Sequence, residues 1–195
     1  MTEILKKVIA MYIGGFRKFR DFKGRSGKFE FWSFALMNTL VTHILGYVGK
    51  FGIVLLLVEI VYALAVLVPL AAMFARRVHD TGHSAWWVAI TGVGVVYPLV
   101  QQYVPLPVLL LGMLNLACFV ALIYVLVLTV CPSVGKNEYG PRTEETSSEI
   151  KLSNFFVVIF FGLVVWHIGS IMYAGTVSQN TDKTVSAALP HHVHE

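Results

Sequence analysis

Five long apolar runs decide what this chain can fold into, because a helix crossing a hydrocarbon layer about 30 Å thick needs about 20 consecutive apolar residues. The runs occupy 30–47 (EFWSFALMNTLVTHILGY), 51–75, 86–104, 106–130 and 152–175. The third is broken by Gly92, Gly94 and Pro98 and carries Gln101 and Gln102, so it is the poorest match to a lipid-facing helix. Of the 195 residues, 56% are hydrophobic and only 13% charged, and the mean hydropathy is +0.71. That balance excludes a soluble globule. The predicted fold class is all-α: a polytopic membrane helix bundle of five transmembrane helices preceded by an amphipathic interfacial helix.

Orientation follows from where the cations fall, since Lys and Arg are retained on the cytoplasmic side. Eight precede the first run, two lie in 76–85 and three in 131–151, so thirteen of the fifteen share one side, and only Lys50 and Lys183 lie on the other. This predicts a cytoplasmic N-terminus and a periplasmic C-terminus in a bacterial inner (plasma) membrane. The basic pI, about 9.1, is then a matter of topology. It implies contact with anionic lipid headgroups at the cytoplasmic face and no nucleic-acid partner. No secretory signal is expected, since the first apolar run begins some thirty residues in and lacks a small-residue cleavage pattern. Cys118 and Cys131 lie on or at the end of one predicted helix, about 20 Å apart, beyond disulfide reach.

Residues 1–29 form a basic segment in which Ile4, Leu5, Val8, Ile9, Tyr12, Phe16 and Phe19 recur at helical spacing, with Gly14 and Gly15 breaking the pattern. Such a stripe suits a helix lying in the interface, or one packed on the protein. Trp32, Trp86 and Trp87 are expected in the inner aromatic belt. The tail 176–195 is polar, ends HHVHE, and reads as disordered; no metal or cofactor role is assigned to it.

Three polar stretches fall on the cytoplasmic side: DFKGRSGKFEFW (21–32), RRVHDTGHSAWW (76–87) and NEYGP (137–141). Their order and wording resemble domain-of-unknown-function family 805, the YhaH-like small bacterial inner-membrane proteins, over about residues 10–145. The resemblance implies a four-span core at 30–145, with 146–175 as an added linker and fifth helix. Its motif positions map onto Asp21, Gly24, Arg25, Glu30, Phe31 and Trp32, then Arg76, Arg77, His79, Asp80, Gly82, Ser84, Trp86 and Trp87, then Asn137, Tyr139 and Gly140. Lys28, Val78, His83 and Ala85 depart from the family pattern. The family supplies no established activity.

HDTGH resembles the HExxH zinc signature, in which two His one turn apart hold a metal and a Glu activates water. Here Asp80 is a carbon shorter than Glu, Thr81-Gly82 argues against a continuous helix, and no third ligand follows. The structural alternative is that Arg25, Arg76 and Arg77 pair with Asp21, Glu30 and Asp80 while Gly82 makes a left-handed turn. The functional alternative is a pocket for an anionic headgroup or small metabolite, built by Arg25, Arg76, Arg77, His79, Asp80, Trp86, Trp87, Asn137 and Tyr139. A second constellation lies inside the membrane, where ionisable groups are costly. Glu59, Asn115, His167 and Asn38 all fall about 12–13 Å from the outer ends of their spans. Glu59 and His167 could share a proton, or merely hydrogen-bond to select helix packing.

The leading function is thus a non-enzymatic inner-membrane protein binding lipid or a partner through its cytoplasmic motif cluster, with no catalytic residues assigned. The alternatives are a proton-coupled transporter or permease using Glu59 and His167, as a homo-oligomer because five helices enclose little path, and a lipid-modifying enzyme using His79 and Asp80.

Overall fold

The structure, a computed structural model, describes residues 2–100, 103–104 and 106–188; the side chains of residues 2, 95, 98–100, 167–168, 171–175 and 177–188 fall outside that description. Helices α1 (Thr2–Arg17), α2 (Lys28–Val48), α3 (Ile53–Asp80), α4 (Trp86–Val100), α5 (Val108–Val130) and α6 (Ser147–Ala188) follow in order, with a 3₁₀ turn at Gly49–Phe51 between α2 and α3. Among the described residues the only β pairing is an isolated bridge between Asn137 and Gly140. Residues 1–157 form one compact unit and residues 158–195 a second.

The all-α class holds, but the span count of five is corrected. Among the described residues four segments, Lys28–Phe51, Ile53–Asp80, Val108–Val130 and Ser147–Trp166, are long and apolar enough to cross a membrane. The third predicted span becomes α4, a helix of 15 residues, about 22 Å long and so short of the hydrocarbon thickness. Helix α6 runs on to Ala188, through the first part of the stretch read as a disordered tail. The terminal histidines of HHVHE lie outside the described residues.

In the first unit the main pairings are α1 on α2, α2 on α3 and α4 on α5. Small residues permit the close ones, as expected where lipid gives helices no hydrophobic reason to associate. A Cβ placed on Gly94 would stand 2.9 Å from Cys118 Cβ, and one on Gly15 would stand 2.3 Å from Phe34 Cδ2. The second contact explains why α1 continues through Gly14-Gly15, where the sequence suggested a break. The glycine is a seat for the Phe34 ring. The stripe on α1 accordingly divides: Val8 is buried and Tyr12 and Phe16 meet Phe34, whereas Ile4, Leu5, Ile9 and Ile13 stay exposed.

Burial is concentrated at one end of this unit. The buried residues of α2 are among its first nine (Lys28–Leu36), those of α3 lie in Val66–Asp80, those of α5 in Cys118–Thr129, and Ser153 and Phe156 are buried near the start of α6. Elsewhere the helices show large apolar side chains outward, among them Val54, Val61, Leu64 and Leu116. A surface of that kind is suited to lipid, not water. The packed end is the one that carries the three polar motifs.

Candidate functional site

Helix α3 ends where the motif RRVHDTGHSAWW changes from helix to turn. Gly82 has φ 79, its amide donates to His79 O, and the His83 amide donates to Val78 O. This pair of bonds is a Schellman closure, which needs a left-handed residue and so a glycine. The left-handed turn anticipated at Gly82 is present. Ending the helix at Asp80 leaves its last carbonyls in need of donors, and the other motifs supply them. The Ser26 amide bonds Arg76 O and the Val134 amide bonds Asp80 O, while Asn137 Nδ2 donates to His79 O at 2.8 Å.

Asp80 sits at the negative end of the α3 dipole, where a carboxylate is unfavourable unless cations offset it. Its side chain is fully buried, and it is paired with Arg25 at 2.9 Å and Arg77 at 2.5 Å. Thr143 Oγ1 donates to it at 2.7 Å, and the Ser133 hydroxyl donates as well. Arg25 also donates to the carbonyls of Asp80, Val134, Gly135 and Gly140. Arg77 reaches those of Ser26, Thr129 and Cys131. One carboxylate and two planar guanidiniums thus bind together the segments before α2, after α3 and after α5, which is the multi-point bonding that Arg geometry permits.

Arg76 serves a different joint. Its guanidinium donates to Lys18 O at 2.8 Å and Asp21 O at 2.7 Å, closing the connection between α1 and α2. The expected partners Asp21 and Glu30 are instead bonded locally: the Lys23 and Gly24 amides donate to Asp21 Oδ1, and Lys18 pairs with Glu30 at 3.1 Å. Burial pushes the Asp21 carboxyl up, but those two amides with Arg76 and Lys18 outweigh it, so its pKa is held below 3.8.

His79 stacks face to face on Tyr139, with ring centroids 3.7 Å apart and planes 5° apart. Its Nδ1 faces Gly24 O at 3.3 Å; a carbonyl only accepts, so Nδ1 carries the proton in this bond. His83 turns away, with Nδ1 on Thr81 Oγ1 and its ring edge-on to Tyr124. Among the described residues no group of three or more His, Cys, Asp or Glu side chains is placed to hold a metal. Burial, followed by the neighbouring Glu138, pushes the Tyr139 hydroxyl pKa up from 10.0.

The structure therefore brings Arg25, Arg77, His79, Asp80, Asn137 and Tyr139 together, as a packed joint rather than an open pocket. Trp86 is exposed and Trp87 packs on Tyr124 at 4.7 Å. Trp32, expected in the aromatic belt, is instead buried, and its Nε1 donates to Thr129 O at 3.0 Å. Ser133, Thr143 and Glu145 were not singled out from sequence, although all three hold the joint; Glu145 Oε1 accepts the Phe29 amide at the start of α2. Their one signal is position, close to the third motif.

Openings flank the joint. A groove of about 470 Å³ between α3 and α4 is lined by Ala75, His79, Ser84, Trp86, Ala89 and Gly92 among others. A polar recess of about 450 Å³ lies beside Lys28, Ser133, Arg142, Thr143 and Glu145. Arg25, Arg76 and Arg77 line neither.

Of the intramembrane constellation, the described members Glu59, Asn38 and Asn115 each have separate partners. Glu59 lies against α2, with its Oε1 3.3 Å and Oε2 2.8 Å from Cβ positions on Gly46 and Gly49. Asn38 accepts from Tyr62, which also bonds Tyr12, both at 2.7 Å. Asn115 is exposed and donates to Leu111 O one turn back at 2.8 Å. The His167 side chain lies outside the described residues.

A family model described as a protein of unknown function (DUF805) matches residues 19–141. Inner membrane protein YhaH of Escherichia coli K12 is 34% identical over 90 residues, covering 42% of this chain and 65% of that protein. Inner membrane protein YhaI of the same strain is 32% identical over 77 residues, covering 39% and 65%. The chain thus spans 65% of the length of these relatives. No solved structure matches it.

Proposed function

This chain belongs to the DUF805 family, described as a protein of unknown function, and from that premise we propose that it is a non-enzymatic, lipid-binding protein of the bacterial inner membrane, with a cytoplasmic N-terminus and a periplasmic C-terminus. The orientation is supported by the basic residues gathered at the packed end. The lipid reading is carried by one observation: α1 and the segment after it expose Ile9, Ile13, Phe19 and Phe22 beside exposed Arg17, Arg20 and Lys23. An apolar stripe edged by cations is the chemistry that an anionic interface retains. The three motif arginines are a poorer match to headgroups, because their donors are directed to Asp80 and to backbone carbonyls.

Each cation near an anionic surface contributes about 1 kcal/mol, so replacing Arg17, Arg20 and Lys23 together by Gln should remove about 3 kcal/mol of that attraction. Reconstituted into mixed vesicles, the wild type should enrich anionic over zwitterionic lipid around itself, and the triple variant should not; salt should suppress the difference. Equal enrichment by both proteins sinks this reading. Reporter fusions at the two termini test the orientation separately.

A further inference from the structure

We propose that the polar recess at the packed end, between the start of α2, the segment after α5 and the first turn of α6, binds one singly charged phosphodiester, held by the buried Lys28 ammonium and the exposed Arg142 guanidinium. The site is separate from the exposed cations of α1 and does not depend on the reading given to them.

Lys28 opens α2 and is only 9% exposed. Charged side chains that deep are ordinarily paired, because a charge taken out of water without compensation is costly. Lys28 is an exception. Among the described residues it makes no ion pair, and its one hydrogen bond is to a neutral group, Asn154 Oδ1, at 2.6 Å. An ammonium has three donors, so two are left over. Of the charges that act on it, the first is a like one, the Arg77 guanidinium, ahead of the Glu145 carboxylate. Glu145 is in any case engaged elsewhere, since its Oε1 accepts the Phe29 amide. A buried cation with free donors and no counter-charge is completed by an anion.

The recess beside it, about 450 Å³, falls within the usual range for small-molecule sites, about 300–1,000 Å³. Arg142 lines it too and is exposed, with no hydrogen bond or ion pair among the described residues. Lysine supplies a point charge with rotatable donors and arginine a planar fork, two shapes that together suit the oxygens of a phosphate. Ser133 and Thr143 form part of the wall. Their hydroxyls already serve Asp80, so the donors for a ligand come from the two cations.

Charge narrows the ligand further. Lys28 and Arg142 are matched along the recess by Glu144 and Glu145, so the lining is neutral by itself. The joint next to it sets two guanidiniums, Arg25 and Arg77, against the single carboxylate of Asp80, and leaves one positive charge over. One negative charge is therefore compensated and a second is not. A phosphodiester carries one, whereas a phosphomonoester carries about 1.5 to 2 at neutral pH. A simple carboxylate carries one as well, but the monoanion that surrounds a membrane protein where its helices begin is the phosphodiester of the lipid headgroup. That group can come from a glycerophospholipid or from a soluble diester.

The full-length protein is to be purified in a maltoside detergent, which carries no phosphate, and titrated calorimetrically with four probes: glycerophosphoglycerol, phosphatidylglycerol, glycerol phosphate and acetate. Native mass spectrometry gives the stoichiometry. The wild type should bind one diester per chain, about tenfold more tightly than the monoester or acetate. Binding of both diesters, or of glycerophosphoglycerol alone, assigns the site to the headgroup chemistry itself; binding of phosphatidylglycerol alone assigns it to the lipid. Lys28→Met and Arg142→Gln should each weaken binding by at least about tenfold, the scale of one hydrogen bond to a charged group. Glu144→Gln should tighten it by up to about fivefold, a gain that a merely structural role does not give. Should Lys28→Met fail to fold, Arg142→Gln and Glu144→Gln, both at exposed positions, carry the test. The proposal is overturned if the wild type binds neither diester, if glycerol phosphate or acetate binds as tightly, if affinity survives Arg142→Gln or a folded Lys28→Met, or if Glu144→Gln weakens it. The Arg17, Arg20 and Lys23 variant should bind the diester unchanged, so a failure of the anionic-interface reading and a failure of this one give different results.

Discussion

Replacing Asp80 by Asn tests the joint at its centre. Asn has the same shape but no charge, and it places an amide donor where Asp80 Oδ2 now accepts from Arg77 and Ser133. The change leaves two guanidiniums, with side chains 3% and 0% exposed, without a counter-charge. Removing one partner of a buried ion pair costs about 3–5 kcal/mol, more than about a hundredfold in the folding equilibrium. Unfolding in bicelles, followed by steric trapping, reads this directly, and hydrogen exchange at the Ser26 and Val134 amides should locate it. An apolar triple variant, with Asp80→Leu, Arg25→Met and Arg77→Met, sharpens the argument. Buried ion triads can often be exchanged for apolar groups at little cost. Here they should not be, because the two arginines also donate to seven backbone carbonyls, and each one left buried and unbonded costs about 1–3 kcal/mol. A loss under about 1 kcal/mol for Asp80→Asn, the scale of an exposed pair, would refute the reasoning about charge. Recovery in the triple variant would refute the reasoning about carbonyls.

Gly15→Leu should force the Phe34 ring aside and release α1 from α2 at a cost of about 1–3 kcal/mol, seen as new protease sensitivity within residues 2–17. Gly82→Ala, at φ 79, should cost about 1–2 kcal/mol by opening the closure of α3, measurable as a lower unfolding midpoint with an unchanged slope. Glu145→Ala should remove the cap on the Phe29 amide, lowering stability by about 1 kcal/mol with faster exchange confined to the first turn of α2. Asp21 should give a pH signature. Its folded pKa lies below 3.8, so the stability it contributes is complete above that value and is lost as pH falls through the lower, folded one. Acid titration of the α1–α2 joint should show this loss in the wild type and not in Asp21→Asn.

Much of this was legible in the sequence. The runs that form α2, α3, α5 and α6 are visible because lipid demands length and apolarity together, and the three motifs carry the family resemblance. That Arg25, His79, Asp80 and Tyr139 belong to one cluster was suggested by wording and sidedness; which of them pair was not. What could not be read was of three physical kinds. Arginine partners that are backbone carbonyls leave no trace in residue identity, so the sequence suggests acids for Arg76, which holds Lys18 O and Asp21 O. Depth along a helix does not fix rotation about it, so Asn115 shared a level with Glu59 yet bonds its own helix. A glycine reads as a breaker until its neighbour is known, and at Gly15 that neighbour is Phe34.

The joint around Asp80 also orders events during synthesis. Arg25 is made early, yet the five groups it holds belong to four later residues, Asp80, Val134, Gly135 and Gly140, and Thr143 completes the carboxylate's shell. Asp80 is made first of these, but the three carbonyls and the Thr143 hydroxyl follow only with the segment after α5, so the set is complete only once residue 143 is made. The packed end is therefore the part of the fold that closes last, when the segment after α5 is in place.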